Sequence, residues 1–199
     1  MRTKDFENIH EEGGICIGYI VGDSNAVFIK TGQGGSIYGY EDKYLDLALH
    51  LNGKYGCSVF VSKTSVDGRC NFGGEMELVK KILGENAQIY YVGVSKGGLI
   101  GCWNALQFGC IKRILAINAP LMINFHNKTL PAVKSYERGK ISMVYGSLDP
   151  SYTYIPFISG YVDVQTVDGA DHNFSEHLDV FKRIIEDGCG DFIKSVRDQ

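Results

Sequence analysis

The chain has 199 residues, 44% of them apolar, enough for one domain that buries roughly 70% of its unfolded surface and needs no disulfide or metal staple. Its formal net charge is −3 and its lysines and arginines are scattered, which excludes the basic face of a nucleic-acid-binding protein.

The stretch Met1 to His10 carries charges of both signs around no apolar core, so neither a signal peptide nor an anchor is expected there. No apolar run is long enough to span a membrane. The cysteines, Cys16, Cys57, Cys70, Cys102, Cys110 and Cys189, lack paired C-x-x-C spacing, and several fall in expected strands or helices, where cysteine acts as a small buried hydrophobe. Free thiols, a cytoplasmic location and no metal site are the expectation.

No repeat, low-complexity tract or linker interrupts residues 1–199, which read as a single domain. Strands are expected at 6–10, 15–21, 26–30, 58–62, 89–94, 113–118, 141–145 and 161–167, the first few antiparallel. Helical patterns lie at 41–52, 75–83, 96–108 and from 176 to the C-terminus, the last interrupted by Gly188 and Gly190. Strands separated by such helices need crossover connections, hence a mostly parallel sheet covered on both faces, with reactive groups at the carboxyl ends of its strands.

After the fifth expected strand the chain reads Gly93-Val94-Ser95-Lys96-Gly97, then opens an amphipathic pattern with Leu99, Ile100, Cys102 and Trp103. A lone G-x-S-x-G is a weak signal, because glycine and serine are common. Its place between an apolar strand and a helix strengthens it. Such a strand-to-helix turn leaves no room for side chains two residues to either side of the serine, and the helix aims N–H groups at the reacting centre.

A serine nucleophile needs a histidine to take its proton and a carboxylate to orient the ring. Past the seventh strand stands Gly146-Ser147-Leu148-Asp149-Pro150, and past the eighth Gly169-Ala170-Asp171-His172-Asn173-Phe174. Asp149 is the expected acid and His172 the expected base. The intervals from Ser95 to Asp149 and on to His172 each fit a return to the same sheet edge. Asp149 before Pro150 also fits a turn-starting pair. Asp171 is a rival carboxylate, but adjacent side chains face each other poorly. His177 falls in a helical stretch, His126 lies on a segment with no matching acid after it, and His10 and His50 precede the serine.

These three motifs, in this order, resemble those of the α/β-hydrolase family over nearly the whole chain. The resemblance implies a mostly parallel eight-stranded sheet with helices on both faces, no cofactor, and hydrolysis of esters, thioesters or amides of a small-molecule acyl substrate. It also implies two backbone N–H donors for the oxyanion, each worth about 100- to 1,000-fold in rate. One is that of Lys96. The other, from the loop Lys30-Thr31-Gly32-Gln33-Gly34-Gly35-Ser36, is assigned to Gln33. Relatives often have His-Gly where this chain has Thr31-Gly32, so the bonds that hold the loop must be made otherwise. Gly32-Gln33-Gly34 lacks the lysine of a P-loop and the spacing of a dinucleotide fingerprint. Ser-Lys-Gly also resembles the elbow of some acyl-CoA thioesterases and acyltransferases, where the Lys96 ammonium either stays solvated or meets an anionic substrate.

Only residues 119–139 separate the sixth and seventh strands, too few for a large lid, so an open, shallow site is expected. Ile123, Phe125, Tyr38, Tyr40, Tyr152 and Tyr154 are its candidate walls. The expected activity is hydrolysis of carboxylic esters; a thioesterase, acyltransferase or peptidase on the same residues, or a hydrolase-like binding protein, are the alternatives.

Overall fold

The computed structural model describes residues 4–137 and 139–198, so Met1, Arg138 and Gln199, which begin the N-terminal stretch, fall within 119–139 and end the last helical pattern, lie outside it. Among the described residues the strands are β1 (Asn8–Glu12), β2 (Ile15–Ile20), β3 (Asp23–Gln33), β4 (Cys57–Thr64), β5 (Gln88–Val94), β6 (Ile111–Ile117), β7 (Ile141–Gly146) and β8 (Asp163–Val167). They form one sheet in the order β1-β2-β4-β3-β5-β6-β7-β8. β2 pairs antiparallel with both β1 and β4, and every other pairing is parallel, so β2 alone runs against the rest. The apolar run of β5 is buried throughout its middle, as a parallel strand covered on both faces requires.

Two helices cover one face. Leu45, Leu47 and Leu51 of α1 (Lys43–Tyr55) and Phe181, Ile185 and Phe192 of α6 (Leu178–Arg197) pack on Val27, Ile29, Val59 and Val92. The other face carries α2 (Phe72–Leu83), α3 (Lys96–Asn104), α4 (Leu130–Lys134) and α5 (Ile155–Ile158). Met76, Val79, Leu99, Val133 and Ile158 from these helices meet Phe28, Phe60 and Tyr91.

Several boundaries differ from expectation for identifiable reasons. β1 starts two residues later, because Phe6 turns into the core beside Tyr38 instead of joining the ladder. β3 runs on to Gln33, so the expected glycine-rich loop begins inside the strand. α2 starts at Phe72, because the Asn71 side chain caps it by accepting from Gly74 N. α3 ends at Asn104 and a 3₁₀ turn, Ala105–Gln107, takes over. α6 is not interrupted. Gly188 lies inside it because a Cβ there would stand 2.1 Å from the Tyr90 hydroxyl, a close approach that outweighs the ~1 kcal/mol helix cost of glycine.

All six cysteines are free. No helix among the described residues is long and apolar enough to cross a membrane. Among the described residues one ion pair is wholly interior. Lys30 of β3, 1% exposed, donates to Glu75 of α2, 2% exposed, at 2.5 Å, and to Ser62 Oγ and Lys63 O at 2.8 Å. The Ser62 hydroxyl in turn donates to Glu75 at 2.9 Å.

Candidate active site

Ser95 sits between β5 and α3 with φ 52° and ψ −123°, a conformation that costs a residue with a side chain of order 1–3 kcal/mol. The surroundings hold it there. A Cβ on Gly93 would lie 2.5 Å from the Gly97 carbonyl oxygen, and one on Gly97 2.2 Å from that of Lys30, so both positions require glycine. Ser95 N donates to Ile117 O at 2.8 Å, and the buried Tyr91 hydroxyl donates to Gly97 O at 2.8 Å.

Asp149 and His172 arrive at the same edge from β7 and β8. His172 Nε2 lies 2.9 Å from Ser95 Oγ, and His172 Nδ1 lies 2.5 Å from Asp149 Oδ2. Asp149 is 3% exposed. Asp149 divides its oxygens: Oδ1 accepts from Ser151 N at 2.7 Å and caps the 3₁₀ turn Pro150–Tyr154, while Oδ2 faces the imidazole. Asp171 has another task. It accepts from Ser175 N at 2.8 Å, Asn173 N at 3.1 Å and Ser175 Oγ at 2.8 Å, and so folds the loop that presents His172. His177 stands at the N-cap of α6 rather than inside the helix.

The hydrogen bond to Asp149 raises the His172 pKa above its ordinary 6.5, with burial working against it and the charges of Asp149 and Asp171 adding to it. A histidine that must accept a proton works only when neutral. As pH falls through the raised pKa the ring becomes charged, so the acid limb of a kcat/KM profile for ester hydrolysis is expected to have its midpoint above 6.5.

One residue of this edge went unassigned in the sequence. Asn118, fully buried at the end of β6 with φ 46°, donates through Nδ2 to Asp171 O at 3.0 Å and His172 O at 2.9 Å, and accepts from Gly146 N at 2.9 Å. A single amide therefore ties the histidine loop to the strand that leads to Asp149. Its signal was faint: a polar residue closing the apolar run Ile114 to Ile117. Asn118→Ala is expected to lower stability by about 1–3 kcal/mol in urea unfolding. Loosening His172 should also lower kcat/KM by up to about 100-fold.

The end of β3 and the turn after it lie against the serine. A Cβ on Gly32 would stand 3.2 Å from Ser95 Cβ, and Gly35 N donates to Gly32 O at 2.9 Å, closing a turn over Gln33 and Gly34. Thr31 exchanges two bonds with Thr64 of β4: Thr64 N donates to Thr31 Oγ1 at 3.1 Å, and Thr64 Oγ1 donates to Thr31 O at 2.7 Å. The Gln33 side-chain amide donates to Val66 O at 2.6 Å. Lys96 begins α3, and its ammonium lies 5.1 Å from the centre of the Trp103 ring, two turns further along.

Ser95 and His172 open into a cleft of about 570 Å³. Of the six expected wall residues only Tyr40 lines it; the others are replaced by Lys43, Tyr44, Val94, Phe174 and Phe181. Phe125 and Tyr154 pack on each other at 5.1 Å, with Phe157 5.9 Å from Phe125, and Tyr38 bonds Asp5. For Ile123, Phe125 and Tyr154 the misplacement is one of sheet face, because they belong to the cluster under α4 and α5 while the cleft lies above α1 and α6; Tyr38 packs on the cleft's own face. Between β6 and β7 the described residues form only a π turn (Phe125–Thr129) and α4.

Among the described residues no group of three or more histidine, cysteine, aspartate or glutamate side chains is placed to hold a metal ion. No protein-family model and no curated protein matches the chain. Solved structures do. Est1E from Butyrivibrio proteoclasticus superposes with a TM-score of 0.70 at 15% identity, over 90% of this chain and 96% of its own. An alpha-beta serine hydrolase homologue from Coxiella burnetii gives 0.68 at 14% identity, over 94% and 97%. A lidless serine hydrolase from Xanthomonas campestris gives 0.65 at 12% identity, over 89% of each chain. At these identities the likeness is one of fold.

Proposed function

We propose that this chain, which has the α/β-hydrolase fold, is a serine hydrolase that cleaves carboxylic esters of small or exposed acyl substrates. The observation that carries the reading is the unbroken path from a buried carboxylate through an imidazole to a strained serine, Asp149 to His172 to Ser95.

In this reading Ser95 Oγ attacks the acyl carbon while its proton passes to His172 Nε2, and Asp149 stabilises the imidazolium. The carbonyl π electrons move onto oxygen, which is met by the backbone N–H groups of Gln33 and Lys96. When the tetrahedral intermediate collapses, the C–O bond to the alcohol breaks and His172 returns the proton to the leaving oxygen. Water then repeats the sequence on the acyl-enzyme, releasing the carboxylic acid and free Ser95. Two features support the donor assignment: Gly32 packs directly on Ser95, and Lys96 opens the helix whose N-terminus faces the reacting centre.

The reading is tested by treating the folded protein with a fluorophosphonate probe and locating the adduct by peptide mass. Expected is an adduct on Ser95 that is strongly reduced in His172→Ala. An unlabelled Ser95, or equal labelling in the two proteins, would sink the reading. A panel of p-nitrophenyl and CoA esters then sorts ester from thioester preference.

A further inference from the structure

The cleft beside Ser95 contains a cation that the proposed mechanism does not use. Lys43, half-buried at the first residue of α1, lines the same cleft as Ser95 and His172. Aromatic faces hold its ammonium, 4.8 Å from the centre of the Phe181 ring and 5.1 Å from that of Tyr44. Among the described residues the ion pairs made by lysines belong to Lys4, Lys30, Lys54 and Lys80. Lys43 has none. The nearby Asp171 spends its oxygens on Ser175 and Asn173. Burial pulls the Lys43 pKa below the ordinary lysine value, and Asp171 only works against that pull.

A partly dehydrated ammonium that makes no ion pair, on which Asp171 acts only through its charge, is stabilised by an anion that enters beside it, because the water it has lost cannot compete for the new partner. It is a single charge, matched by one carboxylate. Building on the serine-hydrolase reading above, we infer that Lys43 is a specificity-determining residue that binds a carboxylate carried by the ester substrate. The preferred substrates are then carboxylate-bearing esters, and neutral esters of the same size are poorer ones.

The test compares two matched pairs: p-nitrophenyl butyrate with the mono-p-nitrophenyl ester of succinic acid, and phenyl acetate with 4-carboxyphenyl acetate. The first pair places the carboxylate on the acyl side and the second on the leaving side. The readout is the ratio of kcat/KM for the charged ester to that for its neutral partner. In Lys43→Met this ratio is expected to fall about tenfold or more in one pair, and in Lys43→Arg to be largely kept. In the unmodified protein the same ratio should shrink as salt is raised, a readout that needs no variant. Ratios unchanged in both pairs by Lys43→Met, or insensitive to salt, overturn the inference. Lys43→Gln serves if the methionine variant does not fold. Fluorophosphonate labelling separates the two levels: Ser95 labelled with unchanged ratios defeats the role of Lys43 alone, and Ser95 unlabelled defeats the hydrolase reading beneath it.

Discussion

Ser95→Ala is expected to lower kcat/KM for a p-nitrophenyl ester by on the order of 10⁶-fold, because without Oγ no acyl-enzyme forms and His172 has no proton to take. What remains is the acceleration by the cleft and its backbone donors, still about 10³- to 10⁴-fold over water. The fold should barely respond. The Ser95 backbone keeps its bond to Ile117 O, and alanine meets the same strain at φ 52° that serine does, so thermal unfolding should shift little. Steady-state kinetics beside circular dichroism checks both halves. A well-folded variant that retains a hundredth of the activity would place the chemistry elsewhere.

Asp149→Asn should separate the two tasks of the aspartate. Ser151 N requires an acceptor at Oδ1, so the asparagine oxygen takes that place and its NH₂ turns toward His172 Nδ1. The ring must then accept at Nδ1 and carry its proton on Nε2. It presents a hydrogen, not a lone pair, to Ser95. A fall of about 10⁴-fold in kcat is the expected result, with the turn at Pro150–Tyr154 intact. Asp149→Ala removes the cap as well and should cost about 1 kcal/mol of stability in addition. Equal stability losses in the two variants, or an active Asp149→Asn, would refute this division of labour.

What could be read from the sequence was what local stereochemistry dictates. The glycines at 93 and 97 are demanded by atoms within a few residues and by one neighbouring strand. The order of strands and helices follows from apolar runs alternating with amphipathic ones, and that order brings Ser95, Asp149 and His172 to one edge. Hidden were the features set by contacts between distant segments. Asn118 resembles any polar strand end until the loop 53 residues later is seen to hang from it. Ile123, Phe125 and Tyr154 were assigned to the wrong face, because proximity to a sheet edge does not say on which side a side chain lies. Lys43 left one trace: with Leu47 and Leu51 it continues the buried stripe of α1, a charge where the helical phase calls for an apolar residue.

The interior bond between Lys30 and Glu75 also shapes which descendants of this chain can fold. Losing either partner alone strands a buried charge, at about 3–5 kcal/mol, a large part of the ~5–15 kcal/mol that holds an ordinary domain together. Replacing both with apolar residues of similar volume can be nearly neutral. The accessible route between those two solutions is therefore a double step. Single-site drift at residue 30 or residue 75 is closed off, while exposed positions on the same elements stay open to it. The pair is expected to change as a unit, and with it the fastening of α2 to the strand that delivers Gly32 to Ser95.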